Sequence, residues 1–184
     1  MAIQIRAEID KEALNQILAK MNGLSDKKQN SARANAINKT ARAFARQEKS
    51  DVTKNFSAKK VGKHIIRRAS PQKLEAEVVF PREAFNTSHF KVLKNRKKIG
   101  ARVEITKGVR IELIYNGNKG FVPGLANNSI FARKGKKREP IDIMFGPSYG
   151  GMAHSDKFFG KNTDAVMKAL EEELNRQIKR YIGK

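Results

Sequence analysis

From residue 34 onward the spacing of apolar residues changes twice in this chain of 184 residues, and the changes limit the folds it can adopt. In the first half, residues that recur every three or four positions form one helix face, which is apolar except for Glu48. Its members are Ala34, Ile37, Ala41, Phe44, Ala45, Glu48, Val52 and Phe56. From Lys73 the spacing falls to two, which is typical of half-buried strands. It returns to helical spacing over 162–182, with Val166, Leu170, Leu174, Ile178 and Tyr181 on one stripe. The pattern predicts an α+β fold in which a mixed, mainly antiparallel sheet is covered by a long helix of the N-terminal half and by a C-terminal helix.

Two further helices and a strand are predicted before Lys73. Residues 3–9 alternate as a strand, and a helix follows Asp10 and ends at Gly23. The long helix then begins at Ser25 or Asp26. Ser57 is expected to cap a third helix that ends at Ser70-Pro71, with Ala58, Val61, Ile65 and Ala69 facing inward.

The middle of the chain is predicted to consist of strands and loops. A strand over 74–80 ends at Pro81, and the clearest hairpin turns at Thr106-Lys107-Gly108. Short strands are expected at 130–133 and 141–145, followed by breaks at Gly146-Pro147-Ser148 and Gly150-Gly151. The segments 81–100 and 117–139 are expected to be flexible basic loops. Since no repeat and no internal boundary is evident, we expect one domain over 1–184.

The charge of the chain favours an anionic partner. Lys and Arg number 39 against 18 acids, which gives a formal net charge of +21. A compact body with this charge repels itself unless an anion compensates it. Nucleic-acid phosphate is the first candidate, an acidic protein the second and an anionic membrane the third. The absence of a long apolar run and of a signal-like N-terminus leads us to expect synthesis in a cytoplasm.

Residues suited to catalysis or metal binding are scarce. There are no cysteines and only three histidines, and no phosphate-binding or dinucleotide-binding glycine pattern occurs. His154-Ser155-Asp156 are adjacent and so cannot converge on one substrate atom. Glu75 and Glu77 share one face of a predicted strand, where a solvated face is the simpler interpretation. We expect no catalytic residue, no metal and no cofactor.

Three basic clusters are the candidate binding residues for DNA or for a protein partner. The first was expected to form a ridge on the predicted third helix, and the other two lie in the predicted loops. Their members are Lys59, Lys60, Lys63, Arg67 and Arg68; Lys94, Arg96, Lys97 and Lys98; and Arg133, Lys134, Lys136, Lys137 and Arg138. Such clusters can contact a phosphate backbone without reading bases, and each could also be simply a solvated face.

Two segments resemble a known family. Residues 34–41, Ala-Asn-Ala-Ile-Asn-Lys-Thr-Ala, resemble the alanine-rich helix of the prophage minor tail protein Z family. Residues 131–135, Pro140-Ile141 and Gly146-Pro147-Ser148 resemble its second block, a basic turn, a Pro-Ile strand and a Gly-Pro-Ser exit. The resemblance extends over about 30–180, and residues 85–98 have no counterpart in it.

The resemblance implies a structural, non-enzymatic role in virion assembly. Such a protein sits at the head-proximal end of a phage tail, completes the tail, and lets DNA be positioned for injection. The expected partners are the terminator, tape-measure and tube proteins. A homo-hexameric ring is expected in the tail, and a monomer or weak oligomer in isolation. A free-standing, non-specific nucleic-acid-binding protein is the alternative, and an enzyme such as a nuclease or toxin is the third hypothesis.

Overall fold

The computed structural model describes residues 25–94, 100–123, 129–155 and 159–182. Within them the chain forms the helices α1 (Asp26–Asn55), α2 (Tyr149–Ala153) and α3 (Phe159–Ile182), with a single 3-10 turn at Thr87–His89. The α+β class, the long helix and the C-terminal helix are therefore confirmed. The strand and helix predicted over 3–23 lie outside the described residues.

The described strands pair in five small sheets, all antiparallel. The strands are β1 Ile65–Arg67, β2 Glu77–Val79, β3 Ala84–Asn86, β4 Lys91–Lys94, β5 Ala101–Glu104, β6 Arg110–Glu112, β7 Ile114–Tyr115, β8 Asn118–Lys119, β9 Phe131–Arg133, β10 Ile141–Ile143 and β11 Phe145–Ser148. The sheets are β1–β2, β3–β11, β4–β5–β6, β7–β8 and β9–β10. Strands of two to four residues each make few ladder hydrogen bonds. The strands therefore form separate ribbons rather than the single predicted sheet, and the β3–β11 pair contains a register shift between Phe145 and Ser148.

The chain divides into two compact units. The first contains the described residues of Met1–Lys49, Lys63–Phe80 and His154–Lys184, and the second contains those of Ser50–Gly62 and Pro81–Ala153. Each unit is assembled from segments distant in sequence. The prediction of one domain stays a prediction.

The core of the first unit lies between α1 and α3. Ala32 and Ala36 are fully buried against Leu170, Leu174 and Ile178, with Ile37 and Tyr181 packed at the margin. Alanine side chains allow two helix backbones to approach closely, which explains the alanine-rich stripe of α1. Most of the predicted α1 stripe is buried, including Phe44, Ala45 and Val52, while Ile37 and Ala41 are half-buried.

Two buried acids join the helices of this unit. Glu48, which is fully buried, accepts a hydrogen bond of 2.9 Å from the side chain of Asn162. Glu173 of α3 is also buried and lies 3.0 Å from Lys39 Nζ. A buried carboxylate is tolerated only with such partners.

The predicted third helix is wrong. Residues 57–64 have no regular structure, and Ile65–Arg67 form β1, in which Ile65 pairs with Val79 and Ile66 with Val78. The β-branched Ile65 and Ile66 have low helix propensity and pack well on a pleated surface. Gly62 also weakens a helix at this point.

The second unit is built mainly of the strand pairs. The predicted hairpin is confirmed as β5 and β6, with Val103 opposite Ile111. The short strands predicted at 130–133 and 141–145 are confirmed as β9 and β10. Its most buried large side chains include Tyr149, Phe90, Ile130 and Met152.

Part of a predicted loop is regular structure. Residues 84–94 form β3, the 3-10 turn and β4, and the Asn86 side chain accepts a hydrogen bond from Ser88 N–H at the start of that turn. The break expected at 146–148 is part of β11, which pairs with β3. Gly146 is required there, because a Cβ at this position would lie 2.4 Å from the ring of buried Phe90.

Of the helices described here, none combines the length and the apolar composition needed to cross a membrane.

Candidate anion-binding surface

The first basic cluster does not form the expected ridge. Because the third helix is absent, Lys59 and Lys60 lie in the irregular segment of the second unit, and Lys63, Arg67 and Arg68 belong to the first unit. All five side chains are exposed. Lys59 Nζ donates to the Ser88 carbonyl at 2.9 Å, and Arg67 lies 2.8 Å from Glu77. The structure therefore separates residues that the sequence placed on one face.

The second cluster lies mostly outside the described residues. Lys94 is the last residue of β4 and pairs with Ala101 on β5. Arg96, Lys97 and Lys98 fall in the segment that the structure does not describe.

The third cluster connects β9 and β10 and is called here the basic turn (residues 133–138). Its sequence, Arg-Lys-Gly-Lys-Lys-Arg, places five cations in six residues with no acid among them, and every residue is exposed. The strands on either side fix its ends, with Arg133 opposite Ile141 and Ile143 opposite Phe131. The Lys134 N–H donates to the Pro140 carbonyl at 3.0 Å and closes the turn.

Little negative charge compensates the basic turn. Lys134 Nζ lies 3.2 Å from Asp142, and both side chains are about half exposed to water. No acidic side chain in the described part of the chain forms an ion pair with Arg133, Lys136, Lys137 or Arg138. Four of the five cations therefore remain available to an external anion.

Two other cations of the second unit form ion pairs within the described residues, Lys91 with Glu104 and Lys119 with Glu112. The Gly108 N–H lowers the pKa of Glu104 by donating to its carboxylate, and the charges of Lys91 and Arg110 act in the same direction against burial. Lys91 lies 3.5 Å from this carboxylate. Since Glu104 stays ionised at neutral pH, the sheet β4–β5–β6 offsets part of its own positive charge.

The same compensation occurs in the first unit. Burial acts to raise the pKa of Glu173, but hydrogen bonds from Gln177 and Lys39 and the charges of Lys39 and Arg176 outweigh it and lower the pKa. Arg176 lies 2.7 Å from the carboxylate. Glu75 and Glu77, which shared a strand face in the sequence, are also engaged, with Lys73 and Arg67 respectively.

The hairpin β7–β8 holds the backbone of the basic turn. The Asn118 side-chain NH₂ donates to the carbonyls of Arg133 at 3.0 Å and Gly135 at 3.2 Å, and that of Asn116 makes a longer contact of 3.5 Å with the Lys134 carbonyl. Asn116 and Gly117 have φ of 47° and 76°, the left-handed pair that closes a two-residue hairpin. Three successive carbonyls of the basic turn thus face donors within the protein.

The sequence alone did not reveal this role of the asparagines. The sequence Asn116-Gly117-Asn118 is typical of a turn, but the separation of 15 positions between Asn118 and Arg133 hides the contact. Exposed apolar side chains also occur on β7 and β10, where Ile114, Tyr115 and Ile141 are 60%, 41% and 40% exposed.

Charge is more concentrated in the second unit. Its 86 residues carry 18 Lys and Arg against six acids, a formal charge of +12, whereas the 98 residues of the first unit carry 21 against 12, a charge of +9. Within the described residues, no group of three acidic, histidine or cysteine side chains is placed to hold a metal ion. The arrangement is suited to binding an extended anion.

Comparison of the chain with protein-family models, curated proteins and solved structures gives no match.

Proposed function

We propose that this chain is a structural protein of a phage or prophage tail, placed at the head-proximal end, where it completes tail assembly and helps to position DNA for injection. The observation that carries the proposal is the basic turn, an exposed and largely uncompensated cationic element on the more positive of the two units. A protein beside the path of DNA needs contact with phosphate that does not depend on sequence, which backbone-directed cations provide.

The segments that resemble the tail protein family have structural and surface roles in this fold. In the first segment Ala36 lies in the core, Lys39 pairs with Glu173, and Asn38 binds the backbone of Ala69 through both its amide oxygen and its amide nitrogen. The second segment contains β9, the basic turn, β10 and β11. The resemblance therefore includes both the helix packing and the cationic element.

Assembly into a ring would concentrate the charge. Six copies would carry about 126 formal positive charges around one axis, six times the +21 of one chain. Such a field attracts DNA passing along the axis and opposes self-association of the isolated chain, so we expect a monomer or weak oligomer before assembly. Terminator, tape-measure and tube proteins are the proposed neighbours.

The surface of the second unit offers a place for those neighbours. Strand β6 lies at the edge of its sheet, and Val109 and Ile111 beside and within it are 51% and 38% exposed. An exposed edge strand with β-branched side chains can pair with a strand of another subunit.

Deletion of the gene from the phage or prophage that encodes it tests the proposal. Particles made without the protein should have tails of normal appearance and infect poorly, and expression of the chain from a plasmid should restore infection. Full infectivity of the deletion particles would refute the tail role. In that case tight duplex binding by the purified chain, weakening steeply with salt, would favour the free-standing nucleic-acid-binding alternative.

A further inference from the structure

We infer that the basic turn binds the phosphate backbone of duplex DNA as a preformed element, and that Asn118, with Asn116, is a positioning residue that sets the affinity of this contact. The inference deepens the proposed function by naming the contact site and its ligand. It rests on the hydrogen bonds between two hairpins and on the five exposed cations that lie within six residues of the turn.

The first step concerns the shape of the basic turn. The turn is closed by a backbone hydrogen bond, and the long side chains of its five exposed cations can reach several neighbouring phosphates rather than one point charge. The turn presents no aromatic side chain to stack on bases and no amide side chain to read adenine, and its Lys and Arg side chains are common partners of phosphate oxygens. The contact we infer is therefore with the backbone and is independent of sequence.

The second step concerns the carbonyl groups of the turn. A carbonyl oxygen that faces a phosphate opposes binding, because its partial negative charge is repelled by the full negative charge of the phosphate. The carbonyls of Arg133, Lys134 and Gly135 are instead directed to the side-chain NH₂ groups of Asn118 and Asn116. The asparagines thereby keep these acceptors away from the ligand.

The third step concerns order. Gly135 has open space around it, and the side chains of 135–138 make no hydrogen bond within the described residues, so the turn depends on its backbone contacts for a fixed shape. Without them, ordering the turn on DNA would cost conformational entropy at the moment of binding. Preorganisation changes the affinity but leaves the number of phosphates contacted unchanged.

That distinction can be measured through the dependence of affinity on salt. The slope of log affinity against log salt counts the phosphates neutralised, at about 0.9 per contact on duplex DNA. Removal of a cation that contacts phosphate makes this slope less steep. An asparagine that only positions the turn lowers the affinity and leaves the slope as it was.

The experiment uses the full chain, a fluorescein-labelled duplex of 24 base pairs and fluorescence anisotropy from 50 to 250 mM NaCl. The triple variant Lys136→Ala/Lys137→Ala/Arg138→Ala should reduce the slope by about 2.7. Asn118→Ala should weaken binding about fivefold to tenfold at each salt concentration, with an unchanged slope.

Matched variants control for net charge and for folding. Lys168→Ala/Lys179→Ala/Arg180→Ala removes three equally exposed cations from α3 and should leave the slope within about one unit of the unmodified chain. Asn35→Ala, an exposed asparagine on α1, should bind as the unmodified chain does. Thermal melting of each variant separates loss of the turn from loss of the fold.

Three results would overturn the inference. The first is a basic-turn triple variant with the unmodified slope, the second is an Asn118→Ala variant with unmodified affinity, and the third is polyglutamate competing as well as duplex at equal charge, which would indicate an acidic protein as the ligand. The assay does not depend on phage biology. If the variants give the expected binding results and the gene is dispensable for infection, the tail role is refuted and the inferred DNA contact still holds.

Discussion

The two hydrogen bonds between Asn38 of α1 and the backbone of Ala69, two residues after β1, provide the sharpest test of the packing described here. Asn38 donates to the Ala69 carbonyl at 2.9 Å and accepts from the Ala69 N–H at 2.8 Å, and Ala69 is buried. Asn38→Ala leaves both backbone groups without their partner and without ready access to water. At about 1–1.5 kcal/mol for each group, the free energy of unfolding should fall by roughly 2–3 kcal/mol.

Urea unfolding monitored by circular dichroism measures this loss. Asn35→Ala is the matched control, because Asn35 lies on the exposed face of the same helix and should change stability by less than about 0.5 kcal/mol. Amide hydrogen exchange at Ala69 gives a local readout, and its protection should drop in Asn38→Ala alone. If Asn38→Ala matched Asn35→Ala in both measurements, the reasoning about this link would be refuted.

Three further predictions follow from contacts in the two units. Gly146→Ala should destabilise the chain by about 1–3 kcal/mol, because the added Cβ would overlap the buried Phe90 ring. Gly135→Ala, which has open space around it, should leave the melting temperature almost unchanged, and thermal melting compares the two variants. Burial, with help from the charge of Lys49, lowers the pKa of His64 below its ordinary value of 6.5. Because the unfolded chain then binds the proton more readily, the free energy of unfolding should be highest above pH 6.5 and should fall as the pH drops below it. His64→Gln should flatten that part of the pH profile of urea unfolding, and an unchanged profile would exclude His64 as its source. Thr87→Val removes the hydroxyl that accepts a hydrogen bond of 2.7 Å from the Ile130 N–H, and should lower the free energy of unfolding by about 1–3 kcal/mol in the same assay. A loss under about 0.5 kcal/mol would show that this hydrogen bond is dispensable.

The long elements of the fold could be predicted because their pattern repeats over many turns. Helix α1 and helix α3 each present a stripe that recurs over 15 residues or more, and the observed helices begin and end within a few residues of the predicted ones. The hairpin at Thr106-Lys107-Gly108 has turn residues between alternating segments, and its strands pair as expected.

The short elements could not be predicted in the same way. Strands of two to four residues contain too few positions to show a period, so 84–94 resembled a loop. The segment after Ser57 has helical spacing, yet Ile65 and Ile66 pair with Val79 and Val78, which lie more than ten residues further along the chain. Tertiary pairing decides such ambiguous segments, and a single sequence does not contain it.

The candidate site was predictable in charge but not in geometry. Five cations in six residues identify the basic turn, whereas the contacts of Asn116 and Asn118 arise from the packing of two hairpins. Burial of Glu173 beside Lys39 was likewise hidden, because the two residues lie 134 positions apart in the sequence.

Immunogold electron microscopy of purified particles carrying an epitope-tagged copy of the chain tests the central proposal most directly. We expect label at the head-proximal end of the tail in particles that remain infectious. Particles free of label, with all of the tagged protein recovered in the soluble fraction of the lysate, would contradict it.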